Sequence, residues 1–255
     1  MSTAGLTLRQ VRFTNKAFWR NPASAFFTFA FPLMFLVIFT ALLGNGHLRL
    51  GGMEIRQSTY YVAAMAAFSV ITACYTNIAI SVTFQRDAGV LKRTRGTPLP
   101  AWAYLTGRVI HAVIVAILLV ILCAAFGRGF YHAHVPSGVT LWKFAVILLV
   151  GAASFAALGL AVTAVIPNAD ASPAVVNATI LPLLFLSGIF IPLGDDAPAW
   201  IRWVGRLFPV RHFADGMSAG FLGLPFKWND VLIVAAWGVA GLMLAARSFS
   251  WEPRR

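Results

Sequence analysis

Charge is scarce in this chain, and acid scarcer still. Of its 255 residues 11% are charged and only eight are Asp or Glu, where an ordinary soluble domain carries about 25% charge. A fully solvated surface is therefore excluded for most of the molecule. Cysteine is nearly absent: Cys74 and Cys123 both lie in apolar runs, so no disulfide framework is indicated. Lysine is rare too. Lys16, Lys92, Lys143 and Lys227 follow Asn, Leu, Trp and Phe, so the Gly-Lys-Ser/Thr phosphate loop cannot be built from this chain. Nor is there a long polar stretch to carry a basic face, which argues against nucleic-acid binding despite a net charge of +12. What the chain has is apolar length: 59% hydrophobic residues and a mean hydropathy of +0.79.

A bilayer core of roughly 30 Å needs about 20 apolar residues per helix. Six windows meet or approach that length, at about 24–44, 59–84, 104–126, 142–166, 172–192 and 231–249. Pro167 closes the fourth, and Ser172-Pro173 opens the fifth as a cap and first-turn pair. The sixth is the shortest and needs Ser248 to Trp251, or a snorkelling Arg247, to reach across. The expected class is all-α integral membrane, one domain over 1–255. A cleavable signal peptide is not expected, because a basic arm precedes an apolar run longer than a signal core.

The loops between these windows sort by charge. The amino-terminal arm, the second-to-third loop and the tail hold 12 of the 20 basic residues and, with Asp170, reach net +9, against +3 opposite. The positive-inside rule puts both termini in the cytoplasm.

Outside the spans, Arg9, Arg12, Lys16 and Arg20 form one helical stripe, with Val11 and Phe18 opposite, which predicts an interfacial helix over 5–20. The loop 85–100 is too short for a domain but can hold a short helix ending at Gly96. Val90 and Leu91 would project from that charged helix towards a groove on a soluble partner. The segment 197–225 stays apolar but is cut by Pro198, Gly205, Pro209, Gly216 and Gly220. Two short helices in or near the outer leaflet fit it, with Trp200, Trp203 and Trp228 at the interface.

Two motifs carry a family likeness. The loop reads Arg86, Gly89, Leu91, Arg93 and then Thr97-Pro98-Leu99, and the fifth window ends Ser187-Gly188-Ile189-Phe190-Ile191-Pro192. In this order, with the layout above, the chain resembles the type-2 ABC transporter permeases, particularly the antibiotic-resistance branch of the daunorubicin-exporter kind. Asp87 stands where that family often has Glu. The resemblance implies two permease chains, the second a copy or a paralogue, working with two ATPase subunits that hold ATP and Mg, with no cofactor or metal on this chain. It implies ATPase coupling through Arg86, Asp87, Gly89, Val90, Leu91, Arg93, Pro98 and Leu99. It also implies a cavity bordered by the first, second and fifth spans, for which Phe31, Phe35, Phe39, Asn177, Phe185 and Ser187 are candidates. The expected cargo is drug-like or lipid-like, with lipid-linked polysaccharide as the alternative and a non-transport membrane subunit as a further class.

Three other constellations compete. Gly216-Met217-Ser218-Ala219-Gly220 fits a nucleophile pattern, with His212 and Asp215 close in sequence, but no strand-turn-helix unit surrounds it and the sixth span has no histidine to act as base. Close packing of small residues explains it better, as it does Gly151, Ser154 and Gly159 in the fourth span. His111, in the third span, is a candidate proton relay without an acidic partner. His132 and His134 lack further ligands for a metal.

Overall fold

The side chain of Asn21 accepts a hydrogen bond from the Ser24 amide, and Pro22 occupies the first helical position, so the chain breaks after α1 (Thr3–Trp19) and restarts as α2 (Pro22–Leu43). The computed structural model describes residues 3–43, 46–50, 53–97, 99–193 and 197–250. After α2 a two-stranded antiparallel hairpin, β1 (His47–Leu50) and β2 (Met53–Arg56), pairs His47 with Arg56 and Leu48 with Ile55. Sequence patterning did not anticipate these strands. They are short, four residues each.

The second apolar run is helical from Gln57 to Asp87, as α3 (Gln57–Ile71), a π-helical turn (Thr72–Thr76) and α4 (Asn77–Asp87). It is the central post of the fold: every residue from Ser58 to Ile71 is buried. Around it stand α2, α6 (Ala101–Tyr131), α7 (Val139–Val162) and α10 (Pro209–Leu222), and α11 (Trp228–Ser248) packs on the outside of α7 and α10. Glycines set the closeness of these helices. A Cβ on Gly127 of α6 would lie 2.3 Å from Val62, one on Gly151 of α7 would lie 2.1 Å from Phe213, and one on Gly159 would lie 2.7 Å from the Tyr75 carbonyl in the π turn.

Among the described residues five helices are long and apolar enough to cross a membrane: α2, α3 through α4, α6, α7 and α11. The order of strength differs from the sequence expectation. The last helix begins at Trp228, before the expected 231, and reaches 21 residues by Ser248. The fifth window is the short one: α8 (Ser172–Leu186) has 15 residues, about 22 Å at 1.5 Å per residue. It stops six residues before the expected 192, because the chain turns at Gly188 with φ +85°. The fourth helix likewise stops at Val162, four residues short of 166, while the third runs on to Tyr131, five beyond 126.

The predicted basic arm is helical, and its polar-looking side is the one that faces protein. Gln10, Thr14 and Phe18 lie towards α6, where a Cβ on Gly107 would come within 2.6 Å of Gln10 Cγ; Leu8, Phe13 and Trp19 are exposed. Downstream, α9 (Ala199–Leu207) and α10 each start behind a proline-bearing turn, and α10 ends at Gly223 with φ +67°. Trp200, Trp203 and Trp228 are exposed, while Phe213, Met217 and Phe221 bury α10 against α7.

Candidate functional site: a basic platform latched to the helix bundle

The last turn of α4 carries Arg86, whose guanidinium is buried with only 2% of the residue exposed. It lies where the chain leaves α7. Nη1 donates to the Thr163 carbonyl at 3.1 Å, and Nη2 to the carbonyls of Ile166 at 2.8 Å and Pro167 at 3.1 Å. A helix exit leaves carbonyls without intrahelical partners, and a planar cation with five donors is suited to them. Asp87 does the converse: Oδ2 accepts the Ala169 amide in the turn leading to α8, and Oδ1 accepts from Arg86 Nε at 3.3 Å. Asn168 and Ser172 complete that turn through their own side chains. The second-to-third loop is thus bolted to the fourth-to-fifth turn.

Gly89, with φ +69°, then swings the backbone through the left-handed region, and α5 (Val90–Arg95) folds back towards α4. This corrects one expectation. Leu91 does not project to a partner: it is fully buried within the chain, and Val90 is half-buried and borders an inner cavity. A left-handed break directly before α5 aims its apolar side inward. Lys92, Arg93 and Arg95 form the outward face, while Leu99 packs on the core. Pro98 lies outside the described residues. Of the eight residues expected at this loop, the structure therefore puts Arg86, Asp87 and Leu91 in internal contacts and Arg93 at the surface.

The candidates for the cavity fall into two groups. Phe31, Phe35 and Phe39 join Phe68 of α3 and Phe190 in one aromatic cluster, with centroid distances of 4.7 Å for Phe31–Phe35, 6.1 Å for Phe35–Phe190 and 5.3 Å for the stacked Phe39–Tyr61. Phe185 enters through Phe190 at 5.0 Å. Phe68 and Phe190 hold the cluster together and were not anticipated; no local spacing marks them. Asn177 stands apart on an exposed face of α8, and the buried Ser187 hydroxyl donates to the Leu184 carbonyl at 2.8 Å, a helix-ending contact.

Beside Ser187 a cleft of about 520 Å³ opens among Tyr60, Gly188, Arg211, Asp215, Ser218 and Asp230. The Tyr60 hydroxyl donates to the Gly188 carbonyl. Arg211 pairs with Asp215 at 3.1 Å. Half of the Asp215 side chain faces the cleft, but the protein around it displaces bulk water and raises its carboxyl above the ordinary range, with Arg211 pulling it back. His212 Nδ1 lies 2.7 Å from Asp230 Oδ1, and Nε2 lies 2.9 Å from the Arg206 carbonyl. Both ring nitrogens are engaged, so His212 has none left to take a proton from Ser218. The flanking glycines have a packing role instead: Cβ atoms on Gly216 and Gly220 would come within 2.7 Å of Ile147 and 2.5 Å of Phe144.

The sequence that builds this arrangement is similar to that of known proteins. A family model described as "ABC-2 type transporter" matches residues 7–222. The chain belongs to the ABC-2 type transporter family. It is 29% identical over 218 residues to "Inner membrane transport permease YadH" of Escherichia coli (strain K12), covering 84% of this chain and 79% of that protein. It is 25% identical over 175 residues to "Probable multidrug ABC transporter permease YbhR" of the same strain, covering 66% and 47%. It is 22% identical over 231 residues to "Putative transport permease YvfS" of Bacillus subtilis (strain 168), covering 89% of each. In this family member the cationic face of α5 follows directly on Arg86 and Asp87, whose hydrogen bonds tie the end of α4 to the turn between α7 and α8.

Proposed function

We propose that this ABC-2 family chain is the membrane subunit of an exporter driven by separate ATPase subunits, which bind the outward face of α5. The observation that carries the reading is the Arg86–Asp87 latch: a push on α5 reaches α4 directly and the α7–α8 turn through hydrogen bonds. An acidic groove on a soluble subunit would complement Lys92 and Arg93. ATP and Mg would be held by that partner, since the chain has no phosphate loop.

In this reading α8 is a sixth, short crossing, both termini face the cytoplasm, and the protein lies in the inner membrane. Two chains, identical or paralogous, pair so that exposed aromatics of α2 and α8, Phe31 and Phe185 among them, border the pathway. An amphipathic, drug-like or lipid-like cargo suits that lining, and the multidrug wording attached to YbhR points the same way; lipid-linked polysaccharide is the alternative. The test is co-purification with candidate ATPases and measurement of substrate-stimulated ATP hydrolysis. Charge reversal at Lys92 and Arg93 should abolish stimulation while the chain still folds, and failure of every ATPase to bind would end the exporter reading.

A further inference from the structure

A second cavity, of about 290 Å³, lies under α1 and is lined from below by the π-helical turn, α4, α5 and α6. Two buried side chains on its α6 wall lack hydrogen-bond partners at one atom each. Arg108 is 6% exposed. Its Nη1 donates to Ser81 Oγ at 2.9 Å and its guanidinium lies 5.4 Å from the Tyr104 ring centroid, yet Nε has no partner. His111, one turn further along and 7% exposed, rests edge-on against Phe18 and leaves Nδ1 unpartnered. Buried polar atoms are nearly always satisfied, so these two offer hydrogen-bonding positions to an occupant of the cavity.

The charge around them is one-sided. Among the described residues no Asp or Glu lines the cavity, so none of them sets a carboxylate against the buried guanidinium there. The remaining polar lining consists of amides and hydroxyls, among them Gln10, Thr14 and Asn77. The rest is apolar, and Phe13, which is 68% exposed, carries that wall out to the surface of α1. An occupant must be anionic at one end, able to accept several hydrogen bonds, and apolar at the other. A solute anion lacks the apolar part, and water lacks the charge.

We propose that this cavity binds the phosphate headgroup of an acidic phospholipid from the adjoining leaflet, with Arg108 as its charged contact and its acyl chains leaving past Phe13. A guanidinium matches phosphate geometry, and basic pockets between membrane helices are a recognised form of headgroup site. The proposal needs only that α6 crosses a membrane; it stands or falls apart from the export reading. The lipid would also pin α1 to α6 beside the platform, since α5 shares the cavity through Val90 and Thr94.

The test uses the full chain, with any ATPase that co-purifies, stripped of lipid and returned to nanodiscs of phosphatidylglycerol or phosphatidylcholine with the same acyl chains. Retained lipid is counted by native mass spectrometry, with inorganic phosphate as a competing probe. Wild type should prefer phosphatidylglycerol, and Arg108→Gln should weaken that preference about tenfold, the loss expected for one charge-assisted contact. Arg128→Gln, exposed in the last turn of α6 and away from the cavity, should leave it unchanged. If Arg108→Gln does not fold, Thr14→Phe, which fills the cavity without altering charge, should lose the preference instead. An undiminished preference in the variant that folds overturns the proposal. Displacement of the lipid by millimolar inorganic phosphate overturns its lipid part.

Discussion

Arg86 and Asp87 are neighbours in sequence that serve opposite ends of one turn: the guanidinium holds carbonyls at the exit of α7, and the carboxylate holds an amide at the entry to α8. Removing Arg86 leaves three carbonyls and a carboxylate short of their donor. Arg86→Met should cost about 3 kcal/mol, as for loss of one member of a buried ionic network, and Arg86→Lys should recover only part, having no planar fork. Chemical or thermal unfolding in detergent measures both.

Leu91 and Arg93 separate packing from docking. Leu91→Ala deletes a fully buried side chain and should destabilise the chain by about 2–4 kcal/mol, without lowering the affinity of any folded protein for its ATPase. Arg93→Glu should leave the unfolding midpoint within about 0.5 kcal/mol of wild type and weaken ATPase binding. A pull-down titration alongside the melt distinguishes the two.

Two glycines differ in why they are glycine. At Gly89 an added Cβ meets nothing within 4 Å, so Gly89→Ala carries only the left-handed backbone cost of about 1–2 kcal/mol. At Gly159 the Cβ would press on the carbonyls of Tyr75 and Cys74, which cannot move without opening the α7 contact with the π turn. Gly159→Ala should be the more damaging of the pair in the same unfolding assay.

His212 and Asp230 join α10 to α11 beside the 520 Å³ cleft. Either His212→Ala or Asp230→Ala alone should cost about 3 kcal/mol by stranding its buried partner, while the double variant should cost less than the sum. A double-mutant cycle on unfolding free energy checks this. Ser218→Ala, by contrast, should leave transport unchanged, and a loss of transport there would revive a chemical role for the Gly216–Gly220 string.

Much of this protein follows from local sequence. Apolar length sets the helices, since a span is a property of consecutive residues. Asn21, Pro173, Pro198 and Pro209 place breaks because capping and proline effects act within one turn, although Ser172, expected as a cap, is already the first residue of α8 and its hydroxyl donates back to the Ala169 carbonyl. Gly216 and Gly220 could be read as packing residues from their spacing alone. The absence of a phosphate loop, and with it the need for another subunit to bind ATP, is also a local fact.

Tertiary structure decided the rest, because it depends on which distant groups meet. Leu91 looked like a handle because its neighbours are cations; only the turn at Gly89 shows that it points inward. Arg86 looked like part of a basic loop until the α7 carbonyls, nearly 80 positions away, came within reach. Phe190 and Phe68 became the centre of an aromatic cluster that no local period marks. Arg108 counted in the sequence as one more topology charge; the bundle buries it beside His111 in a cavity without acid, and it is that burial, not the charge itself, that gives it something to bind.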